Sequence, residues 1–337
     1  MKKTALLFLA PLMMGSLAGC ANNGHANVGL LYCSAEANSQ YQVEVMEKEL
    51  KELGLTTKRI SFADSNDIAP VLRGSIDKVD TIYIPTDNAC ASNGEIINTI
   101  VREKNKPVFA GEESICNACG AITLSISYYN IGVVTGQMAV SILLGEQDIS
   151  TMRIAYDSNP VKEYNEDFCT AMGINVPSDY VKIGARGETV VELGDFKNTS
   201  NLQFSIGISQ FVTHDALDAA TRGFKDAVKA GLGEENVTFE EKNAAGDIAN
   251  CSTIANDFVS KNKDLIMANA TPTLQAAANA TNSIPILGTS VTEYGTALNI
   301  PNFTGLVGGN ISGTSDLAPL TEQAQMVKEV FTPYFNK

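Results

Sequence analysis

Residues 204–291 constrain the fold most. They read FSIGISQFVTHDALDAATRGFKDAV, then a polar segment around GDIANC, then KDLIMANATPTLQAAANAT, and finally SIPILGTSV. Short apolar runs bounded by turn formers alternate with amphipathic stretches of ten or more residues. The first kind reads as buried strand and the second as helix. The plan is strand, loop, helix, three times over, closing on a fourth strand. Residues 28–114 repeat it. There, 27–32 and 57–62 read as strands, as do 79–84 and 107–110. The helix at 41–53 places Val43, Met46, Leu50 and Leu53 on one face and stops at Gly54. Both copies carry Asp-Ile-Ala before the second helix, at Asp67 and at Asp247. Both have Thr and Pro after the third strand, and both have Pro before the fourth strand and Gly after it.

Strands alternating with helices of this length form parallel sheets with helices on both faces. A chain of 337 residues has room for two such units. The expected fold is therefore α/β, with two lobes and parallel doubly wound sheets. Between the units, 121–126 reads as a strand and 128–144 as a helix. Gly132, Gly136 and Ala139 in that helix allow close packing on a sheet. Residues 184–200, GARGETVVELGDFKNTS, have no period and read as a linker. Near the C-terminus, 303–307 is a candidate fifth strand, 308–314 a crossing loop and 317–331 a helix. Asp67 and Thr271 are expected helix caps.

Lys2 and Lys3 precede an apolar stretch at 5–18, too short to span a bilayer and suited to a signal peptide. It ends Leu17-Ala18-Gly19-Cys20, which resembles the bacterial lipoprotein cleavage box. That resemblance implies a signal peptide at 1–19, a diacylglyceryl group on Cys20 and a tether at 20–26. It places the chain outside the cytoplasm, touching the membrane through its lipid only. The net charge of −14 argues against nucleic acid or an anionic membrane surface as partner. Cys33, Cys90, Cys116, Cys119, Cys169 and Cys251 remain as disulfides or free thiols. Cys116-Asn-Ala-Cys119 lacks the second pair or histidines that a zinc site needs.

Ligands of open parallel sheets sit beyond the carboxyl ends of the strands, and two-lobed proteins place their pocket between lobes. This picks out loops 34–40, 85–88 and 111–113 from one unit, and 210–214, 269–273 and 288–290 from the other. They are rich in hydroxyls and amides, which suit a carboxylate. Glu112, Glu113 and Asp87 suit an amine, and Phe211 suits an apolar or aromatic side chain. Tyr129 is the aromatic residue on the other side. The set reads as a zwitterion site for an amino acid. Asn38, Ser39 and Thr271 are equally read as helix caps, Phe211 as core, and Tyr128 and Tyr129 as packing under the sheet. No nucleophile elbow, phosphate loop or Cys–His pair is present. His214 reads as a cap or ligand-shell residue, and nothing calls for a metal or cofactor.

GISQFVTHDALDAATRGFKDA, NATPTLQAAANAT, IPILGTSVTE, NISGTSDL, SAEANSQ, VDTIYIPTDNA and PVFAGEE with SYYNIGVVTGQMAV resemble the ABC-transporter substrate-binding lipoproteins that bind tryptophan and tyrosine. The resemblance covers about nine-tenths of the mature chain. It implies a type I periplasmic-binding-protein fold with a hinged cleft, and a monomer that delivers tryptophan, tyrosine or phenylalanine to an ABC permease. By matching positions it points to Gln210, Phe211, Thr271, Thr273, Thr289 and Ser290 on one lobe. On the other it points to Asn38, Ser39, Thr86, Asn88 and Glu112. Two departures stand out. Ser127 occupies a position where the family usually has Asp. The order of the halves is also exchanged, which implies a circular permutation joined through 184–200. Residues 27–125 with 312–337 then correspond to the family's C-terminal lobe, and 201–311 to its N-terminal lobe. Residues 126–183 form the crossing segment, whose helix returns to the other lobe. Helix 317–331 should pack with the unit at 28, and helix 128–144 with the unit at 204. A linker of this length spans roughly 20–25 Å. Two rivals remain at this level: a sensor lipoprotein that binds a similar ligand, and a cleft enzyme using Cys116, Cys119 or His214.

Overall fold

The computed structural model describes residues 25–157, 159–185 and 202–335. The expected signal peptide, Cys20, most of the tether and most of the linker lie outside the described residues.

The first lobe is built on seven strands: β1 (Ala26–Cys33), β2 (Thr57–Phe62), β3 (Val79–Ile84), β4 (Val108–Ala110), β5 (Ile122–Ser125), β7 (Val161–Tyr164) and β8 (Val181–Lys182), with β6 (Ala155–Tyr156) falling in the other sheet. Their order is β2-β1-β3-β4-β5-β7-β8. Pairing is parallel from β2 through β5, antiparallel at β5–β7, and parallel again at β7–β8. The second lobe contains β9 (Phe204–Gln210), β10 (Val237–Asn243), β11 (Leu265–Asn269), β12 (Ile286–Thr289) and β13 (Ile311–Ser315). Its order is β10-β9-β11-β12-β13-β6, all parallel. The first five strands of each lobe thus follow the same 2-1-3-4-5 path. That path reverses direction beside its first strand, so each sheet has a switch point between its first and third strands.

The apolar runs become the sheet interiors. Val28, Leu30 and Leu31 of β1 are fully buried, as are Ile266, Met267 and Ala268 of β11. Such runs, buried on both faces, are what parallel sheets require. Val43, Met46 and Leu50 form the buried face of the Ala37–Glu52 helix.

The lobes exchange helices. The Leu320–Phe335 helix packs on the first lobe. There, Tyr83 Oη donates to Gln323 Oε1 at 2.6 Å, and Lys328 Nζ donates to the Leu53 carbonyl at 2.8 Å. The Tyr128–Leu143 helix lies against Asp215–Leu232 of the second lobe. A Cβ on Gly132 would stand 2.1 Å from the Ala220 carbonyl oxygen, and one on Gly136 2.6 Å from that of Phe224. The small residues therefore serve close contact between two helices rather than contact of helix with sheet.

Three local expectations change. The fifth strand is Ile311–Ser315, not 303–307. Gly313 (φ 144°) lets its backbone press against Gly288, where a Cβ would be 2.0 Å from the carbonyl oxygen. The crossing accordingly falls at Asp316. Thr271 is the first helical residue, and Ala270, at φ 93°, holds the cap position. Asp64, rather than Asp67, accepts the capping N–H, from Asn66.

The six described cysteines are free and buried. Burial pushes the Cys33 and Cys169 thiols up to about 12, far from the reactive thiolate range. No cluster of metal-ligating side chains occurs among the described residues. No helix among them is long and apolar enough to cross a membrane.

Candidate functional site

Sequence order places chemistry at the carboxyl ends of strands, and the structure brings two sets of those ends face to face. After β1 come Glu36 and Asn38, after β3 Thr86, Asp87 and Asn88, and after β4 Glu112. From the other lobe, His214 follows β9, Thr271 follows β11, and Ser290 and Thr292 follow β12. Tyr128 and Asp316 come from the two crossings after β5 and β13. Together they enclose one interlobe cavity, centred on the switch points of both sheets. Its open space is only about 10 Å³, enough for one water.

Polar contacts join the lobes around it. Asn38 spans the gap to Thr271 Oγ1 at 2.7 Å. With its amide turned to satisfy its neighbours, its oxygen also accepts from the Thr292 and Glu293 N–H groups at 3.2 and 3.3 Å, and its nitrogen donates to the Glu293 carbonyl. His214 Nε2 lies 3.3 Å from Asn88 Oδ1. Tyr128 Oη donates to Asp316 Oδ2 at 2.9 Å, linking the two crossings.

Four carboxyl groups face this small volume. Asp87 accepts from the Cys33 and Cys90 N–H groups at 2.7 and 2.9 Å. Glu36 accepts from Asn88 Nδ2 at 2.9 Å and the Ala89 N–H at 3.2 Å. Glu112 caps the Glu113–Cys119 helix through the Ser114 and Ile115 N–H groups, both at 2.7 Å. Burial raises all of these carboxyls: Glu112 to about 7, and Glu36 further because the Asp87 charge adds to desolvation. Burial raises Asp316 to about 6. The same desolvation lowers His214 to about 4, so its imidazole is neutral at pH 7.

Of the residues that the resemblance points to, Asn38, Thr86, Asn88, Glu112, Thr271 and Ser290 line the cavity, as do Asp87 and His214, singled out from the loops themselves. Phe211, 7% exposed, borders an adjoining groove of about 300 Å³ that shares Glu36, Asn38, Asn88 and Thr271 with it. The others stand behind this wall. Gln210 is held by Val212, Asp218 and Thr221. Ser39 donates to the Thr86 carbonyl, and Thr273 to that of Ala270. Thr289 meets Thr314 at 3.1 Å, and Thr314 in turn meets Thr135 at 2.8 Å. Tyr129 bonds Asp226 and lies under the Arg222 guanidinium, in a separate groove that also contains Ser127. Sequence reasoning missed Glu36, Thr292 and Asp316.

Two backbone outliers mark the second-lobe rim. Ala270 (φ 93°) and Ser290 (φ 53°) take the left-handed conformations that non-glycine residues usually avoid. Both follow strand ends at the cavity, and strain of this kind concentrates at ligand clamps. The Thr271–Ala280 helix starts there, and the positive end of its dipole favours an anionic group.

Comparison with known proteins places this architecture. The model of the family described as ABC transporter substrate binding protein matches residues 24–169 and 205–336. A tyrosine-binding protein of Clostridioides difficile (strain R20291) is 42% identical over 149 residues, which are 42% of this chain and 41% of that protein. The chain thus spans about two-fifths of the length of this curated relative. A glucose-galactose binding protein from Geobacillus stearothermophilus superposes with a TM-score of 0.57 at 14% identity, covering 92% of each chain. A periplasmic solute binding protein from Actinobacillus succinogenes 130z, with bound D-allose, gives 0.56 at 10% identity over 92% and 91%. At such identities the likeness is one of fold. These relatives are binding proteins rather than enzymes. Two parallel lobes, a cavity at both switch points and a family match over most of the chain lead to one conclusion: this protein belongs to the ABC transporter substrate-binding proteins.

Proposed function

We propose that the chain captures one amino acid in the interlobe cavity, with a preference for aromatic side chains. We propose further that it works from a lipid anchor at Cys20 outside the cytoplasm and hands its ligand to an ABC importer. One observation carries the ligand reading. His214 Nδ1, Ser290 Oγ and Asp316 Oδ1 are buried, line the same cavity and have no hydrogen-bond partner. Buried polar groups are normally satisfied, so three orphans facing one space call for a small polar guest. The groove beside Phe211 supplies room for a side chain, and the start of the Thr271–Ala280 helix suits the carboxylate. The tyrosine-binding relative supports the same ligand class. The polar contacts of Asn38 and His214 across the lobes belong to a closed form with room for one water, so the lobes part to admit an amino acid and close again around it. A ligand that binds this form better shifts the hinge toward it.

We also propose that the chain order is a circular permutation of the family's. The two matched blocks lie on either side of residues 170–204, around the expected linker. The C-terminal helix packs on the first lobe, beside the chain's own beginning.

The chain contains no tryptophan. Added L-tryptophan is then the only indole present, and a shift of its emission reports binding directly. A thermal-shift panel of the standard amino acids covers other ligands. If none raises the melting temperature, the amino-acid reading fails.

A further inference from the structure

Of the four carboxyl groups around the cavity, three have both oxygens occupied. Every oxygen of Glu36, Asp87 and Glu112 accepts at least one hydrogen bond from a backbone N–H or a neighbouring side chain. They fasten loops and helix starts. Asp316 differs. It is 2% exposed, its Oδ2 is held by Tyr128, and its Oδ1 has no partner. The Thr292 hydroxyl lies close enough to lower its pKa, but short of hydrogen-bonding geometry with Oδ1. No lysine or arginine lines the cavity. A buried carboxylate without a counter-charge is costly, and one fixed in orientation with a free oxygen in a cavity is suited to a cation.

We propose that Asp316 receives the primary ammonium group of the ligand, so that the cavity selects molecules that carry one. This rests on the reading of the cavity as the ligand site. An ammonium brings three donors and one positive charge. Asp316 Oδ1 takes one donor and balances the charge. Ser290 Oγ, which has no partner, and Thr86 Oγ1, which keeps a free lone pair beside the Tyr128 hydroxyl, are acceptors for the others. Asp316 stands at the end of β13, where the chain leaves the second lobe, and Tyr128 ties it to the neighbouring crossing. The ammonium therefore anchors at the hinge, and the rest of the ligand extends between the lobes. The charge is set by a residue of the crossing rather than by the acidic loop after β4.

The test compares three probes on the full chain by calorimetry: L-phenylalanine, 2-phenylethylamine and 3-phenylpropionate. The wild type should bind phenylalanine roughly 10–100-fold tighter than 3-phenylpropionate, the range of a charge-assisted buried contact. Asp316→Asn keeps an oxygen for Tyr128 and removes the charge. It should weaken phenylalanine by that factor and leave 3-phenylpropionate within a few-fold. Unchanged discrimination in Asp316→Asn overturns the proposal, as does its loss in Glu112→Gln alone. Binding of 2-phenylethylamine but not phenylalanine, dependent on Asp316, keeps the proposal and rejects the amino-acid reading. If no probe binds, both fall. A crystal structure of the wild-type complex answers without a variant. An ammonium nitrogen within about 3 Å of Asp316 Oδ1 is expected, and one seated on Glu36 or Glu112 instead refutes the assignment.

Discussion

Gly132→Ala tests the contact that joins the two halves of the chain. In an isolated helix this change stabilises by about 1 kcal/mol, because glycine is a poor helix former. Here the added Cβ would lie 2.1 Å from the Ala220 carbonyl oxygen, and ordinary contact begins at 3.4 Å. The Tyr128–Leu143 and Asp215–Leu232 helices must then separate by more than 1 Å. They do so along an interface where Gly223 and Gly136 are pressed almost as closely, at 2.2 and 2.6 Å. Overpacking of this kind costs about 1–3 kcal/mol net, or roughly 1–5 °C in melting temperature for a chain of 337 residues. Gly74→Ala in the Ile68–Ser75 helix is the control, since its Cβ meets nothing within 4 Å. It should leave the melting temperature unchanged or raise it. Thermal melts followed by circular dichroism read both. A Gly132→Ala protein that melts with or above Gly74→Ala would refute the account of this interface.

Two further outcomes follow from the same physics. Asp316 and Glu112 have folded-state pKa values raised to about 6 and about 7, so the folded state holds their protons more tightly than the unfolded chain does. Their contribution to stability is lost as pH rises from about 4 through 7. His214, lowered to about 4, opposes this only between about 4 and 6.5, where the unfolded chain binds the proton better. The ligand-free protein should therefore melt lower at pH 8 than at pH 6, and a rise over that interval would contradict the burial of these carboxyls. The permutation reading predicts that rejoining the C-terminal helix to β1 through a short loop, with the new ends placed in 186–200, gives a protein with the same ligand affinity. A reordered chain that folds but does not bind would contradict it.

Much of the fold was legible because strands buried on both faces announce themselves as short apolar runs. Rules about strand ends then located the cavity, and Asp87, His214 and six of the side chains that the resemblance pointed to line it. What escaped shares a physical cause. Asp316 follows Ile311–Ser315, a strand with one isoleucine followed only by hydroxyl residues and glycine, which carries no apolar run and so reads as a loop. Its place at the cavity depends on Gly313 fitting against Gly288 and on Tyr128, 188 residues away in sequence. The latch of Asn38 on Thr271 spans 233 residues. Gly132 and Gly136 were visible as small residues, but nothing local says that their partner is a helix. Gln210 and Thr289 looked like ligand contacts because they sit at strand ends. Their hydrogen bonds to Thr221 and Thr314 place them behind the wall instead.

The central claim is that the interlobe cavity holds an amino acid, and an equilibrium titration of the full chain with L-tyrosine, L-tryptophan and L-phenylalanine tests it most directly. The account predicts saturable binding of at least one of them at one site per chain. Titrations that stay flat for all three, on protein shown to be folded by its melt, would contradict it.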